Sequence, residues 1–241
     1  MSGARQRVEG QPAFVLHAHP YRETSLLVDV FSREWGRVPL VARGARRVRS
    51  ALRGVLLAFQ PLELGWFGAG EVRTLTTAEW AGGQPLLQGE ALLCGYYLNE
   101  LLIRLVPRDD SHPGLFDVYR ATLGALAKGD PPEPWLRRFE VVLLQQLGYG
   151  ASLEHDAATG EALTPDALYR YEADQGLVAV EAPRSGCQTY AGRTLLAIAR
   201  GDYSEPETLL QCKLLMRAII GHYLGDVPLQ SRRVFRDLQS F

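Results

Sequence analysis

The hydrophobic period of the chain changes near residue 80, and this change limits the available folds more than any other feature. Before residue 80, apolar and polar residues alternate in short β-rich runs. From about residue 85, apolar residues recur at the spacing of amphipathic helices. Two glycines and a proline in residues 80–85 interrupt both patterns. The sequence therefore predicts an α+β protein, with a β domain at residues 1–80 and a mainly helical domain at residues 81–241.

Five β-rich runs in the first domain predict a small closed barrel. They occupy residues 13–19, 24–31, 36–43, 60–66 and 71–77. In the fourth run, a period of two directs Leu62, Leu64 and Trp66 inward and Glu63 outward. Short antiparallel strands with a longer link between the third and the fourth are typical of the OB fold. An SH3-like barrel is the alternative that the pattern leaves open.

Proline and glycine punctuation divides the second domain into helices. Prolines mark first turns, and glycines follow last turns. The predicted helices cover residues 89–106, 113–129, 134–148, 189–200, 205–225 and 231–239. Between them, the strand-like residues 151–184, with a turn at Asp174–Gly176, predict a small hairpin excursion from the helical body.

Hydropathy and cysteine usage indicate a cytoplasmic protein. No apolar run approaches the roughly 20 residues of a membrane-spanning helix, and the polar residues 1–12 do not resemble a secretory signal. Cys94, Cys187 and Cys212 are odd in number and widely spaced. We therefore expect free thiols rather than a disulfide framework or a thiolate zinc site.

Positive charge is concentrated in the first domain, although the net charge of the chain is only −1. Residues 1–80 hold eleven arginines and no lysine against seven acidic residues, which gives +4, whereas fifteen basic and twenty acidic residues give −5 in the remainder. Five of these arginines, with no acidic residue among them, lie in residues 43–53. We call this set the arginine strip; it consists of Arg43, Arg46, Arg47, Arg49 and Arg53.

Three interpretations of the arginine strip compete, whether the segment is a helix or an extended loop. Guanidinium groups suit bidentate contacts with phosphate, and OB barrels commonly bind single-stranded nucleic acid, which favours DNA or RNA. A membrane-surface helix would need a bulkier apolar face than Val, Ala and Leu provide. A solvated connector is the third interpretation. Tyr21, Trp35 and Phe67 are candidate base-stacking residues, whereas the strand phase assigns Trp66 to the core.

Motifs for catalysis and metal binding are weak. His17 and His19 share a strand face, but two ligands do not make a metal site. The glycine-rich signatures of nucleotide hydrolysis and dinucleotide binding are absent. We therefore expect no enzymatic activity, no metal and no cofactor.

Taken together, several segments in a fixed order resemble the RecO family of bacterial DNA repair and recombination mediators. They are PYRETSLLVDVFSREWGRVPLVARGARR, FQPLELGWFGAGEVRTLTTAEW, LLCGYYLNELLIRLVP and FEVVLLQQLGYG. The resemblance covers essentially the whole chain. It implies a protein without catalytic activity that binds single- and double-stranded DNA and anneals complementary strands coated by single-stranded-DNA-binding protein (SSB). With RecR, such a protein promotes RecA loading.

The resemblance also implies site residues and partners. The family's basic barrel surface corresponds to Arg37 together with the arginine strip. The helical domain is expected to hold the C-terminal tail of SSB. Many family members carry a four-cysteine zinc module after the LGY motif, but residues 150–163 contain no cysteine here, so we expect no zinc. We also expect a monomer in isolation, located in the cytoplasm and associated with the nucleoid.

Two functions of other classes stay open from the residues. The chain could be an interaction scaffold whose basic residues engage an acidic protein, or, more remotely, a metal- or thiol-dependent enzyme. DNA binding at low salt separates the first from a DNA protein, and stoichiometric zinc in the purified protein would revive the second.

Overall fold

The first five strands form a closed barrel in the computed structural model, which describes residues 6–150, 152–173, 175–183, 186–225 and 227–239. The strands are β1 (Gln6–Tyr21), β2 (Ser25–Ser32), β3 (Gly36–Ala42), β4 (Leu62–Gly68) and β5 (Arg73–Trp80). Their order around the barrel is β1-β2-β3-β5-β4, and the parallel pairing of β3 with β5 completes the ring. The predicted OB fold, and with it the α+β class, is confirmed.

Alternation places the predicted side chains in the barrel core. Leu62, Leu64 and Trp66 are at most 1% exposed, whereas Glu63 is exposed. Each large apolar side chain buried in this way contributes about 1.5–3 kcal/mol of transfer free energy. Strand β1 begins at Gln6, well before the predicted residue 13. The sequence did not show this start, because a register shift between Val8 and Gln11 breaks the alternation of apolar and polar residues.

Seven helices are described along the chain. They are α1 (Leu52–Val55), α2 (Gly89–Leu105), α3 (Pro113–Lys128), α4 (Pro132–Gln146), α5 (Gly192–Ala199), α6 (Pro206–Leu224) and α7 (Gln230–Gln239). Residues up to 132 and those from 229 onward form one compact unit, and residues 133–228 form a second. The first unit therefore contains the barrel with α2, α3 and α7. The division into domains 1–80 and 81–241 stays a prediction.

A buried amide joins α2 to an irregular point of β1. The pairing of β1 with β2 shifts register between Val15 and His17, so the Leu16 carbonyl leaves the ladder. Asn99, 2% exposed, donates from Nδ2 to that carbonyl at 2.9 Å and accepts from the Tyr119 hydroxyl at 2.5 Å. Burial raises the pKa of Tyr119, which keeps the phenol protonated. The network satisfies a backbone group that the bulge would otherwise leave buried without a donor.

Replacing Asn99 with Leu should lower the free energy of unfolding by about 1–3 kcal/mol, because the Leu16 carbonyl then loses its donor inside the core. Urea denaturation measures the change. Gln146→Leu, at an exposed position of α4, is the matched amide-to-leucine control and should leave the midpoint almost unchanged. Equal midpoints for the two variants would contradict the role given to Asn99.

The second unit contains the predicted hairpin excursion. Strands β6 (Leu168–Glu172) and β7 (Gly176–Val180) pair antiparallel, and β8 (Tyr190–Ala191) extends the sheet on the other side of β6. Of the predicted turn, Asp174 lies outside the described residues. The loop before β6 is organised by the buried carboxylate of Asp156, which accepts hydrogen bonds from the backbone N–H groups of Ala158 at 2.7 Å and Ala179 at 3.0 Å.

This loop should become less ordered in acid. Burial acts to raise the pKa of Asp156, but backbone hydrogen bonds from Ala158, Ala179 and Thr159 outweigh it, so the net pKa lies below the ordinary 3.8. A depressed pKa means that the stabilisation is complete above the ordinary value and is lost as pH falls through the folded-state pKa. The amide proton of Ala179 should therefore titrate below pH 3.8 in an NMR titration. A midpoint above that value would contradict this account of the loop.

Candidate nucleic-acid interface

The arginine strip lies on a loop of consecutive turns that joins β3 to the short helix α1. Ala45 is fully buried in the barrel core and anchors the loop. The Arg46 N–H donates to the Thr24 carbonyl at 2.9 Å, and Gly44 takes a positive φ of 70°. Both features are incompatible with a continuous helix. Of the two conformations considered from sequence, the helix applies only to residues 52–55.

All five side chains of the arginine strip are exposed. Arg43, Arg47 and Arg49 line an open hollow together with Gly44 and Ser50, and none of the residues that line it is acidic. Within the described part of the chain, Arg43, Arg47, Arg49 and Arg53 make no side-chain hydrogen bond or ion pair. Their guanidinium donors are therefore available to an external anion.

Arg46 has a second role, because it fastens the loop to the turn between β1 and β2. Its Nη1 donates to the backbone carbonyls of Arg22 and Glu23, each at 3.3 Å. The same contact brings Arg22 beside the arginine strip, although the two are distant in sequence. Arg22 is exposed, has a φ of 54°, and lies with its guanidinium carbon 5.2 Å from the ring centre of Tyr21. Sequence reasoning missed Arg22 because it counted charge only along a continuous segment.

The three predicted aromatic residues occupy different places. Tyr21 ends β1 next to Arg22, at the end of the β2–β3 hairpin from which the strip departs. Phe67 on β4 is 40% exposed and pairs with Thr74, whose other neighbour is Val41 near the end of β3. These two residues therefore lie toward the strip.

Trp35 lies in the turn at the opposite end of the β2–β3 hairpin. It is half-buried, packs on the barrel core and meets Trp66 edge to face, with ring centres 6.3 Å apart. The structure therefore does not bring Trp35 together with the arginine strip.

Arg37 is also separated from the arginine strip, because its guanidinium is committed inside the protein. The residue is 8% exposed, and its Nη2 forms an ion pair with Asp29 at 3.0 Å. Nη1 donates to the Ile103 carbonyl and, at 2.8 Å, to the Val106 carbonyl, at the C-terminal end of α2. This arrangement ties the barrel to α2 and leaves little of the side chain for a ligand. The resemblance to the RecO family assigned Arg37 to the basic barrel surface, and the sequence does not reveal that α2 covers this face.

Two further arginines of the barrel are neutralised in the same way. Arg33 forms paired hydrogen bonds with Asp117 of α3, at 3.2 and 2.9 Å, which hold the pKa of that carboxyl below its usual range. Arg73 pairs with Asp109 at 2.6 Å. Carboxylates thus offset several arginines of the first unit, whereas those of the strip meet no carboxylate among the described residues. The positive potential of the unit is therefore concentrated at the strip.

The described residues contain no group of three or more His, Cys, Asp or Glu residues that could hold a metal ion. His17 and His19 are exposed, with ring centres 5.6 Å apart. Cys94 and Cys212 are buried and Cys187 is exposed, all as free thiols, and burial raises the pKa of Cys212 to about 12. In the same part of the chain, no helix has the length and apolar character needed to cross a membrane.

Known proteins match the chain along almost its whole length. A family model described as the Recombination protein O N terminal matches residues 8–84, and one for the Recombination protein O C terminal matches residues 86–233. A DNA repair protein RecO of Azoarcus sp. (strain BH72) is 57% identical over 97% of this chain and 98% of that relative. The RecO of Aromatoleum aromaticum is 55% identical over 98% of each chain, and that of Dechloromonas aromatica is 51% identical over 98% of each. The chain with the barrel and the arginine strip therefore belongs to the RecO family of DNA repair and recombination proteins.

Proposed function

We propose that this protein binds single- and double-stranded DNA through the arginine strip and anneals complementary strands. The observation that carries the proposal is the set of exposed arginines at one end of an OB barrel, none of which pairs with a carboxylate in the described part of the chain. Guanidinium groups bind phosphate through paired charge-assisted hydrogen bonds. Arg22 adds a sixth positive charge through the turn that Arg46 holds in place.

Charge neutralisation gives the mechanism of annealing. Two DNA strands repel each other through their phosphates, and arginines that bind phosphates reduce this repulsion while releasing condensed counterions. Phosphate contacts carry no sequence information, so pairing between the bases selects the product. The protein needs no catalytic residue and no cofactor for this role, and we propose that it is not an enzyme.

The proposed partners in the cell follow from membership of the RecO family. We propose that the protein acts on strands coated by SSB, holds the acidic C-terminal tail of SSB, and works with RecR to promote loading of RecA. Tethering to SSB would raise the local concentration of the protein at gaps in DNA. We further propose a monomer in isolation, located in the cytoplasm and associated with the nucleoid.

A strand-annealing assay tests this function. Two complementary oligonucleotides of about 60 nucleotides, one of them labelled, are coated separately with SSB and mixed with the protein. We expect annealing to become much faster than with SSB alone, and to slow again when Arg43, Arg47 and Arg49 are replaced by alanine. A protein that binds no oligonucleotide at low salt would contradict the proposal and would favour an interaction scaffold that engages an acidic protein.

A further inference from the structure

The most exposed tryptophan of the described residues lies next to the end of the arginine strip. The chain has four tryptophans. Trp66 is buried in the barrel and Trp35 and Trp135 are half-buried, whereas Trp80, the last residue of β5, is 55% exposed. An exposed indole offers a large, flat aromatic surface to a ligand.

One hydrogen bond fixes Trp80 against α1. Its indole Nε1 donates to the backbone carbonyl of Val55 at 3.4 Å. Val55 lies two residues after Arg53, the last arginine of the strip, on the same helical turn. Two residues rise about 3 Å along a helix axis and turn by about 200°, so the backbone of Arg53 lies close to the Val55 carbonyl while its side chain leaves α1 on a different side. The in-plane bond orients the ring and leaves more than half of the residue open.

The surroundings favour a nucleobase as the occupant. Arg53 is exposed and has no ion-pair partner among the described residues. The neighbouring acidic residue, Glu79, pairs across the strands with Glu63, and successive residues of a strand point to opposite faces of the sheet. The carboxylates therefore point away from the face that carries the indole. The short helix α1 thus carries an exposed arginine and also holds an open aromatic ring, and positive charge together with aromatic surface is the combination by which proteins hold a single strand through phosphate and base.

We propose that Trp80 stacks on an unpaired base of the strand whose phosphates occupy the arginine strip. This inference rests on the proposed DNA binding and adds to it a preference for bases that are free to unstack. A base in a duplex is paired and stacked on its neighbours, so the indole contributes to single-stranded binding only. In annealing, this contact would hold one strand with its bases accessible until the complementary strand arrives.

The test compares an intact 20-nucleotide oligo(dT), the same backbone with every base removed, and a 20-base-pair duplex. Fluorescence anisotropy gives the affinity of the wild type, Trp80→Ala, Trp80→Phe and the triple variant Arg43→Ala, Arg47→Ala, Arg49→Ala for each. We expect Trp80→Ala to lose about 5- to 100-fold in affinity for oligo(dT), the range of one base–aromatic stack. Its affinity for the abasic strand and for the duplex should match that of the wild type, and Trp80→Phe should recover most of the loss.

Intrinsic fluorescence supplies a readout that does not depend on the alanine variant being folded. Oligo(dT) should quench the tryptophan emission of the wild type and the abasic strand should not, and Trp80→Phe should remove most of the quenching. Trp135→Phe, a tryptophan of the second unit, is the matched control and should retain it. Unchanged oligo(dT) affinity in Trp80→Ala, together with persistent quenching in Trp80→Phe, would overturn the inference.

The same titrations separate this inference from the proposed function. If the arginine triple variant loses affinity for intact and abasic strands alike while the Trp80 variants bind as the wild type does, the result supports DNA binding by the arginine strip and contradicts the stacking role of Trp80. If the wild type binds none of the three ligands at low salt, the proposed function falls and the stacking role falls with it.

Discussion

Replacing Arg43, Arg47 and Arg49 with alanine should weaken DNA binding by about 10²-fold at moderate salt, because each solvent-exposed charged contact contributes up to about 1 kcal/mol. These three arginines line the hollow of the strip and make no side-chain bonds to the described part of the protein, so their removal should not disturb the fold. The slope of log affinity against log salt for a single strand should fall by about 2, since each phosphate contact contributes about 0.7. Anisotropy titrations over a salt series measure both quantities.

A control for net charge is available in the second unit. Arg138, Arg200 and Arg217 are exposed, and replacing all three with alanine removes the same charge from another part of the chain. We expect this variant to keep most of the affinity and of the salt slope. Equal losses in the two triple variants would show that overall charge, rather than the strip, governs binding. Arg46 is left out of the test, because its bonds to the β1–β2 turn would confound loss of a phosphate contact with movement of the loop.

Replacing Arg37 with Met should have the largest effect on stability, about 3–5 kcal/mol in the free energy of unfolding. The side chains of Arg37 and Asp29 are only 10% and 18% exposed, so removing the guanidinium leaves a largely buried carboxylate without its counter-charge. The carbonyls of Ile103 and Val106 lose a donor at the same time. Urea denaturation measures the loss as a shift of the midpoint.

The double variant Arg37→Met, Asp29→Leu is the control for this effect. Removing both charges should restore part of the stability, because the penalty of the single variant comes mainly from the unpaired carboxylate. At temperatures where Arg37→Met is folded, its salt slope for DNA should equal that of the wild type, since the guanidinium faces α2. If Arg37→Met binds DNA more weakly with a reduced salt slope and shows no loss of stability, Arg37 contacts DNA and the buried role given to it is wrong.

Sequence reasoning predicted the barrel because strand alternation depends on local chemistry. Leu62, Leu64 and Trp66 had to share a face once the period of two was recognised, and the core confirms it. Residues 6–12 were not predicted as part of β1, because the register shift between Val8 and Gln11 interrupts the alternation of apolar and polar residues. The start and end signals likewise located the longer helices to within a few residues, as in α3, where Pro113 lies in the first turn and Gly129 ends the helix with a positive φ.

The site was predictable only in part, because a surface is assembled from distant segments. The arginine strip was recognisable as a local cluster in the sequence. Whether each arginine is exposed or paired, however, depends on partners far along the chain. Arg37 meets α2, Arg33 meets Asp117, and Arg46 holds the turn that carries Arg22. From the sequence, Trp80 belonged only to the boundary segment of residues 80–85, because nothing in the sequence reveals that its indole would donate to the Val55 carbonyl.

The most direct measurement places a photo-crosslinking amino acid within the arginine strip. Val48 lies between Arg47 and Arg49 and is 89% exposed, so a benzoylphenylalanine there should leave the fold intact. Leu210 on α6, 57% exposed, is the matched control position. With a labelled single-stranded oligonucleotide at saturating concentration, we predict strong cross-linking from position 48 and background cross-linking from position 210. No cross-link from position 48, in a sample whose anisotropy shows bound DNA, would contradict the placement of DNA on the arginine strip.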